Sequence, residues 1–170
     1  DHNAAAKAWR KMIKEWPDWP APYHNLAVVL QESNRSAEAA PMLLKALELG
    51  NDGTENWANS AASAFDLLKS PACVEIPKPE WWNDEALKAL SARVVAVSSD
   101  GHVLCGMRAR VLSGDALDQA LWNAGPRTAA EIKEAATWYR RAAETTLIPS
   151  AKLSYERFAS QCDEVADPLL

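Results

Sequence analysis

Residues 23–52, YHNLAVVLQESNRSAEAAPMLLKALELGND, decide the fold because they contain two apolar segments separated by a polar break. In both segments apolar residues recur every three or four positions, which is the spacing of a helix with one buried face. Alanine recurs where the two helices would touch, and helix axes come within about 8–10 Å of each other where the side chains between them are small. The pattern therefore predicts two antiparallel helices that cross at Ala27 and Ala39, with Ala46 contacting a further helix.

The sequence also repeats itself at an interval of about 34 residues, a period typical of stacked helix pairs. The residues that coincide after this shift are Ala5 and Ala39, Ala6 and Ala40, Lys11 and Lys45, Asp18 and Asp52, Asn25 and Asn59, and Ala27 and Ala61. An aromatic residue is kept as well, because Tyr23 falls on Trp57. We therefore expect a single helix, the second of a pair, before residues 23–52, and further helix pairs after them.

Residues 21–52 resemble a tetratricopeptide repeat, a helix-turn-helix unit with the pattern W-x2-L-G-x2-Y, A-x3-F and a closing proline. The matching residues are Tyr23, Leu26, Ala27, Leu30, Ala39, Leu43 and, in place of the proline, Asn51. Elsewhere the resemblance is degenerate, and Arg108 stands where a small residue is expected. The resemblance implies an all-α solenoid of antiparallel helix pairs, with residues 1–170 as one domain of eight or nine helices. A last helix at about 150–165 would cap the stack, because terminal repeats tend to be atypical.

Two insertions, at about 70–83 and 113–128, interrupt the repeat. Three prolines in the first insertion, Pro71, Pro77 and Pro79, exclude an α-helix and favour an extended run. The second insertion predicts a short helix at 115–123 that ends before Gly125. After it, Thr128 and Glu131 have the spacing of a capping box and predict the start of the next helix.

The insertions also carry three tryptophans, Trp81, Trp82 and Trp122, which are less clearly part of the repeat core than the other tryptophans. Either each indole folds back onto the helices, or it contacts a partner, since tryptophan is enriched among interface residues that dominate binding. Contact with lipid or pigment is a third interpretation. Asp84, which follows the first insertion, is explained as a carboxylate that complements a helix dipole.

Composition excludes several classes of function. The formal charge of −5 disfavours nucleic acid as the main partner, and the basic residues look scattered along the chain. Cys73, Cys105 and Cys162 are odd in number and widely spaced, which indicates buried thiols in a reducing compartment inside the cell. No apolar run reaches the roughly 20 residues of a transmembrane helix, so we expect membrane proximity only through partners.

No arrangement of polar residues indicates catalysis. His2, His24 and His102 lack a second ligand at metal-binding spacing, so we predict no metal site and no cofactor. His102 and Cys105 lie three residues apart, but the sequence supplies no orienting partner for such a dyad. We therefore predict a protein that is not an enzyme and has no catalytic residue.

The resemblance implies a concave groove, lined by the first helix of each pair, that holds a peptide or a partner helix. Its lining would comprise His24, Asn25, Val28 and Gln31, then Glu55, Asn59, Ala62 and Phe65, then His102, Cys105 and Ala109. Lys and Arg are missing from the first two sets, which disfavours an acidic C-terminal peptide as the ligand.

Two functions are consistent with these features. The leading expectation is a scaffold or adaptor subunit of a larger assembly that docks through Trp81, Trp82 and Trp122. The alternative is a peptide-binding co-chaperone or assembly factor that uses the groove. The abrupt start of the chain suits an imported plastid or mitochondrial protein, and a peripheral subunit of an organellar membrane complex, such as a photosystem, fits that setting.

Overall fold

The computed structural model describes residues 1–169, and within this range all regular structure is helical. The α-helices are α1 His2–Glu15, α2 Pro20–Glu32, α3 Ser36–Leu49, α4 Glu55–Leu68, α5 Asp84–Val97, α6 His102–Ser113, α7 Ala129–Thr145 and α8 Pro149–Ala166. Short 3-10 turns lie at Pro71–Cys73 and Asp167–Leu169. The predicted all-α class is therefore confirmed. None of these helices combines the length and the apolar character required to cross a bilayer.

The chain divides into two compact units. Unit 1 comprises Asp1–Pro79 and contains α1 to α4. Unit 2 begins at Glu80 and contains α5 to α8. The interpretation of residues 1–170 as a single domain stays a prediction.

Local signals in the sequence set the helix ends of unit 1. Asp1 caps α1 by accepting a hydrogen bond from the Asn3 N–H, and Thr54 caps α4 by accepting from the Trp57 N–H. Pro20 stands at the first position of α2, where its missing N–H costs nothing. Asn34 adopts a φ of 58° between α2 and α3, a left-handed conformation that asparagine tolerates better than most residues.

Consecutive helices of unit 1 pack side by side: α1 on α2, α2 on α3, and α3 on α4. As predicted, Ala27 on α2 and Ala39 on α3 are completely buried, and Ala46 is almost completely buried. Leu30 and Leu43 are also buried, at 2% and 0% exposed. Methyl-sized side chains are thus buried on both α2 and α3, the two helices that pack together, and larger apolar residues are buried on the same helices.

The first insertion departs from its prediction. Residues 70–83 contain no α-helix, but the segment begins with the 3-10 turn Pro71–Cys73 instead of an extended run. Ser70 caps this turn, and Pro71 occupies its first position, where a proline is tolerated. The turn packs on α3, where the buried Cys73 thiol donates to the Ser36 carbonyl at 3.5 Å. The segment therefore folds back onto unit 1 at its start.

In unit 2, α5 packs on α6, α6 on α7, and α7 on α8. Their shared core is again rich in small residues, and its buried members are Ala109, Leu112, Ile132, Ala135, Ala136, Tyr139, Ala159, Cys162 and Ala166. The capping box of Thr128 and Glu131 is confirmed at the start of α7, and the predicted last helix is α8. Arg108 is accommodated because its guanidinium donates to the Lys88 carbonyl, to the Ser91 hydroxyl and to Glu134.

The predicted helix at 115–123 is wrong. After α6 the chain forms turns and irregular structure up to residue 128. Gly114 has a φ of 52°, in the left-handed region that ends a helix. Arg110 then donates to the carbonyls of Gly114, Asp118 and Gln119. Because the guanidinium pairs with these three carbonyl oxygens, they have hydrogen-bond partners although the segment is not helical.

Enlarging Ala39 to leucine tests the role of the small side chains. We expect Ala39→Leu to lower the free energy of unfolding by about 1–3 kcal/mol, since a filled helix contact can take extra methyl groups only by moving the helices apart. Ala37→Leu, on the exposed side of the same helix, is the matched control and should be nearly neutral. Urea denaturation followed by circular dichroism measures both, and equal effects would contradict the proposed contact.

Candidate functional site

The most distinctive surface of unit 2 is an aromatic patch formed by Trp81, Trp82 and Leu121. The rings of Trp81 and Trp82 lie 5.9 Å apart between centroids, and the Trp82 indole N–H donates to the Leu121 carbonyl at 3.0 Å. Leu121 is 53% exposed, and both indoles are half-buried. Apolar side chains from the two insertions therefore meet at one place on the surface.

Beneath the aromatic patch lies Trp122, which is only 7% exposed. Its ring meets that of Trp82 edge-on, with 6.2 Å between centroids, and the Arg110 guanidinium lies 5.6 Å from its centre. Its indole N–H donates to Asp84 at 3.0 Å. Trp122 is thus the support of the aromatic patch, whereas Trp81, Trp82 and Leu121 form its surface.

An ion pair between Asp84 and Arg127 holds this arrangement. Two guanidinium nitrogens of Arg127 donate to the two carboxylate oxygens of Asp84, at 2.6 and 2.9 Å. The same guanidinium donates to the carbonyls of Val111, Leu112 and Gly125, so it caps the end of α6. Asp84 is the first residue of α5, and Arg127 directly precedes the capping residue of α7. One ion pair therefore joins the ends of three helices to the irregular segment 114–127.

The charge state of Asp84 follows from these contacts. Partial burial of the carboxyl raises its pKa, but hydrogen bonds from Arg127 and Trp122 and the charge of Arg127 lower it more, to about 2. The carboxylate is therefore ionised throughout the neutral range. The side chain of Arg127 is 3% exposed, so Asp84 provides the counter-charge for a buried guanidinium.

In unit 1 the predicted groove residues lie on two helices, α2 and α4. His24, Asn25 and Gln31 are half-buried on α2, and Val28 is 39% exposed. On α4, Glu55 and Asn59 are exposed, but Ala62 and Phe65 are at most 1% exposed. Ala62 and Phe65 therefore belong to the interior. Partner binding by the exposed members stays a prediction.

A cavity of about 170 Å³, here called the His24 cavity, lies between α2, the end of α3 and the start of α4. His24 lines it from α2, and the His24 Nδ1 lies 2.9 Å from the Ser60 hydroxyl of α4. The hydroxyl of Ser60 also donates to the Asn56 carbonyl at 2.8 Å. Partial burial lowers the pKa of His24, so the imidazole is neutral at pH 7.

The third set of predicted groove residues lies in unit 2, where Cys105 and Ala109 are completely buried. The Cys105 thiol donates to the Ser99 carbonyl at 3.2 Å, and burial raises its pKa to about 11. His102 instead lies beside Tyr155, with 6.4 Å between ring centroids. Within the described part of the chain, no group of three His, Cys, Asp or Glu side chains is placed to hold a metal ion.

Compared with protein-family models and with curated protein sequences, the chain matches none significantly.

Several residues of these sites were missed by reasoning from the sequence. Asp84 and Arg127 are separated by 43 residues, and neither residue belongs to a recognisable motif. Ser60 stands next to the predicted Asn59, one helical position away. The tryptophans alone carried a usable signal, because they cluster in segments that break the repeat.

Breaking the ion pair tests its role in supporting the aromatic patch. We expect Asp84→Asn to lower the free energy of unfolding by about 3 kcal/mol, because it leaves the buried Arg127 without a counter-charge. Urea denaturation followed by tryptophan fluorescence measures the change. Asp118→Asn, which removes an exposed carboxylate from the same segment, should change stability by less than about 0.5 kcal/mol.

The pH dependence gives an independent test of the same ion pair. A carboxylate whose pKa is lowered on folding adds stability above its unfolded pKa, and this contribution is lost as the pH falls through the folded pKa. The pKa of Asp84 falls from 3.8 to about 2, so wild-type protein should lose about 2 kcal/mol between pH 5 and 2 that Asp84→Asn does not lose. Parallel stability curves for the two proteins would contradict this role.

Proposed function

We propose that this chain is a non-enzymatic scaffold or adaptor subunit that binds a protein partner through the aromatic patch of unit 2. The observation that carries the proposal is the convergence of Trp81, Trp82 and Leu121 on the surface, above the buried Trp122. Tryptophan dominates many protein interfaces because it buries a large area and keeps one polar N–H.

The rigidity of the patch supports the same function. Trp82 is held by Leu121 and Trp122, and Trp122 by Asp84, so the surface loses little conformational freedom when a partner binds. Ordering flexible side chains weakens association, so a preorganised patch binds more tightly than a mobile one of equal area. Exposed apolar clusters of this kind mark interaction sites more often than isolated surface leucines do.

The architecture we propose is a tetratricopeptide-like array. Support comes from the order of packing within each unit, where each helix contacts the next one in the chain. Short connections between helices of similar length place neighbours antiparallel, and α2 and α4 start at Pro20 and Glu55, close to the family period. Helix pairs of this kind expose broad faces that suit protein binding.

Replacing Trp81 by alanine together with Leu121 by serine tests the aromatic patch. Loss of a dominant interface tryptophan costs about 2 kcal/mol or more, so we expect binding of the partner to weaken at least about 30-fold while helical content is kept. The partner is first identified by native purification and cross-linking of the full chain, and binding is then measured with purified proteins.

Leu147→Ser is the matched control for this experiment. Leu147 is 96% exposed in the turn between α7 and α8, so the change removes an exposed leucine of unit 2 away from the patch. Binding that is lost in this control but kept in the patch variant would refute the assignment.

A second candidate function is a peptide-binding co-chaperone or assembly factor. It is favoured by His24, Val28 and Gln31, which lie on the same side of α2, and by the neighbouring Asn25. Binding that survives the patch variant but is lost when Asn25 and Asn59 are both changed to alanine would support this candidate instead.

A further inference from the structure

The His24 cavity of unit 1 has the features of a binding site, and they do not depend on the aromatic patch of unit 2. The apolar part of its lining comes from Pro20, Ala21, Ala46 and Trp57. A dry apolar cavity of about 150 Å³ is large enough to take a benzene ring. The His24 cavity, at about 170 Å³, therefore has room for one aromatic ring system.

The hydrogen bonds around Ser60 determine which nitrogen of His24 carries the proton. A serine hydroxyl has one proton, and that of Ser60 is donated to the Asn56 carbonyl at 2.8 Å. Ser60 can then only accept from His24, so the Nδ1 of the neutral imidazole bears the hydrogen. The other nitrogen, Nε2, is left with a free lone pair. It has no hydrogen-bond partner among residues 1–169.

The charges of the lining narrow the class of ligand. None of the residues that line the His24 cavity is Asp, Glu, Lys or Arg. An ammonium group would therefore lose its hydration without gaining a counter-charge, and a carboxylate would face the lone pair of Nε2. A neutral ring with a hydrogen-bond donor fits the apolar walls and can donate to the Nε2 of His24, while Asn51, Thr54 and Asn56 supply the rest of the polar lining.

We propose that the His24 cavity binds an aromatic side chain that carries one N–H or O–H donor, the tryptophan or tyrosine of a partner polypeptide. The ring packs between Ala21, Ala46 and Trp57, and its donor binds the Nε2 of His24. Ser60 acts as the positioning residue, because it fixes the tautomer that leaves Nε2 free to accept. The interaction adds a second, chemically specific contact to a protein whose other candidate surface is mainly aromatic.

A pair of small aromatic probes tests the donor requirement. Indole has one N–H donor, and benzofuran has nearly the same shape but none. Titration of the 15N-labelled full chain with indole should shift amide resonances of residues around the cavity, Ala21, Gly50 and Trp57 among them. A buried hydrogen bond contributes a factor of about five in affinity, so benzofuran should bind about fivefold more weakly than indole.

The imidazole itself provides a second readout. In the free protein, the 15N spectrum of the His24 ring should show a protonated Nδ1 and a bare Nε2, and the Nε2 signal should move when indole binds. His24→Leu should abolish the preference for indole over benzofuran. His102→Leu, which changes a half-buried histidine of unit 2, should keep that preference.

Several results would overturn the inference. These are equal affinity for the two probes, shifts that lie away from the cavity, or a His24 ring protonated at Nε2. The ring spectrum and the ratio of affinities are both obtained with wild-type protein, so the test holds even if His24→Leu does not fold. Loss of partner binding through the aromatic patch leaves these results unaffected, so the two proposals fail separately.

Discussion

Close approach of neighbouring helices is the constraint on which both units depend. Two helices can share a contact only if the side chains between them leave room for the backbones, and here alanine supplies that room. Ala27 and Ala39 do so between α2 and α3, and the core of unit 2 contains alanines on α6, α7 and α8. The larger residues, Phe65 and Tyr139 for example, then fill the space beside these contacts. The distribution of small and large residues thus sets which helix faces meet.

In the irregular segment 114–127 of unit 2, the buried ion pair of Asp84 and Arg127 holds the chain in place. Arg127 binds Asp84 and three backbone carbonyls, and in this way it pairs two acceptors at the end of α6 and one in the irregular segment 114–127. The geometry that results carries Leu121 and Trp122 to the start of α5, next to Trp82. Stability and candidate function are therefore connected in unit 2, since the contacts that anchor the segment also shape the aromatic patch.

The two candidate sites offer complementary kinds of recognition. The aromatic patch is a mainly apolar surface, for which buried area supplies the affinity. The His24 cavity is concave and is lined by both apolar and polar side chains, so it discriminates by hydrogen bonding and size. A scaffold that uses both sites would bind through a broad contact at the aromatic patch and would recognise one aromatic side chain in the His24 cavity. Each site is built within one unit from residues of that unit alone.

Much of the fold was predictable from local sequence, because spacing and capping act over a few residues. The period of the apolar residues predicted the helix pair at residues 23–52, further helices on both sides of it and a last helix at about 150–165, and the capping box at Thr128 was correct. By itself the sequence determined the helical class and the small residues at the helix contacts. Only the tertiary structure decided that residues 115–123 are not helical and that Phe65 and Trp122 are buried. It alone also paired Asp84 with Arg127 and His24 with Ser60. Their partners are distant in sequence, and the free energy of such contacts depends on burial and charge that no local pattern records.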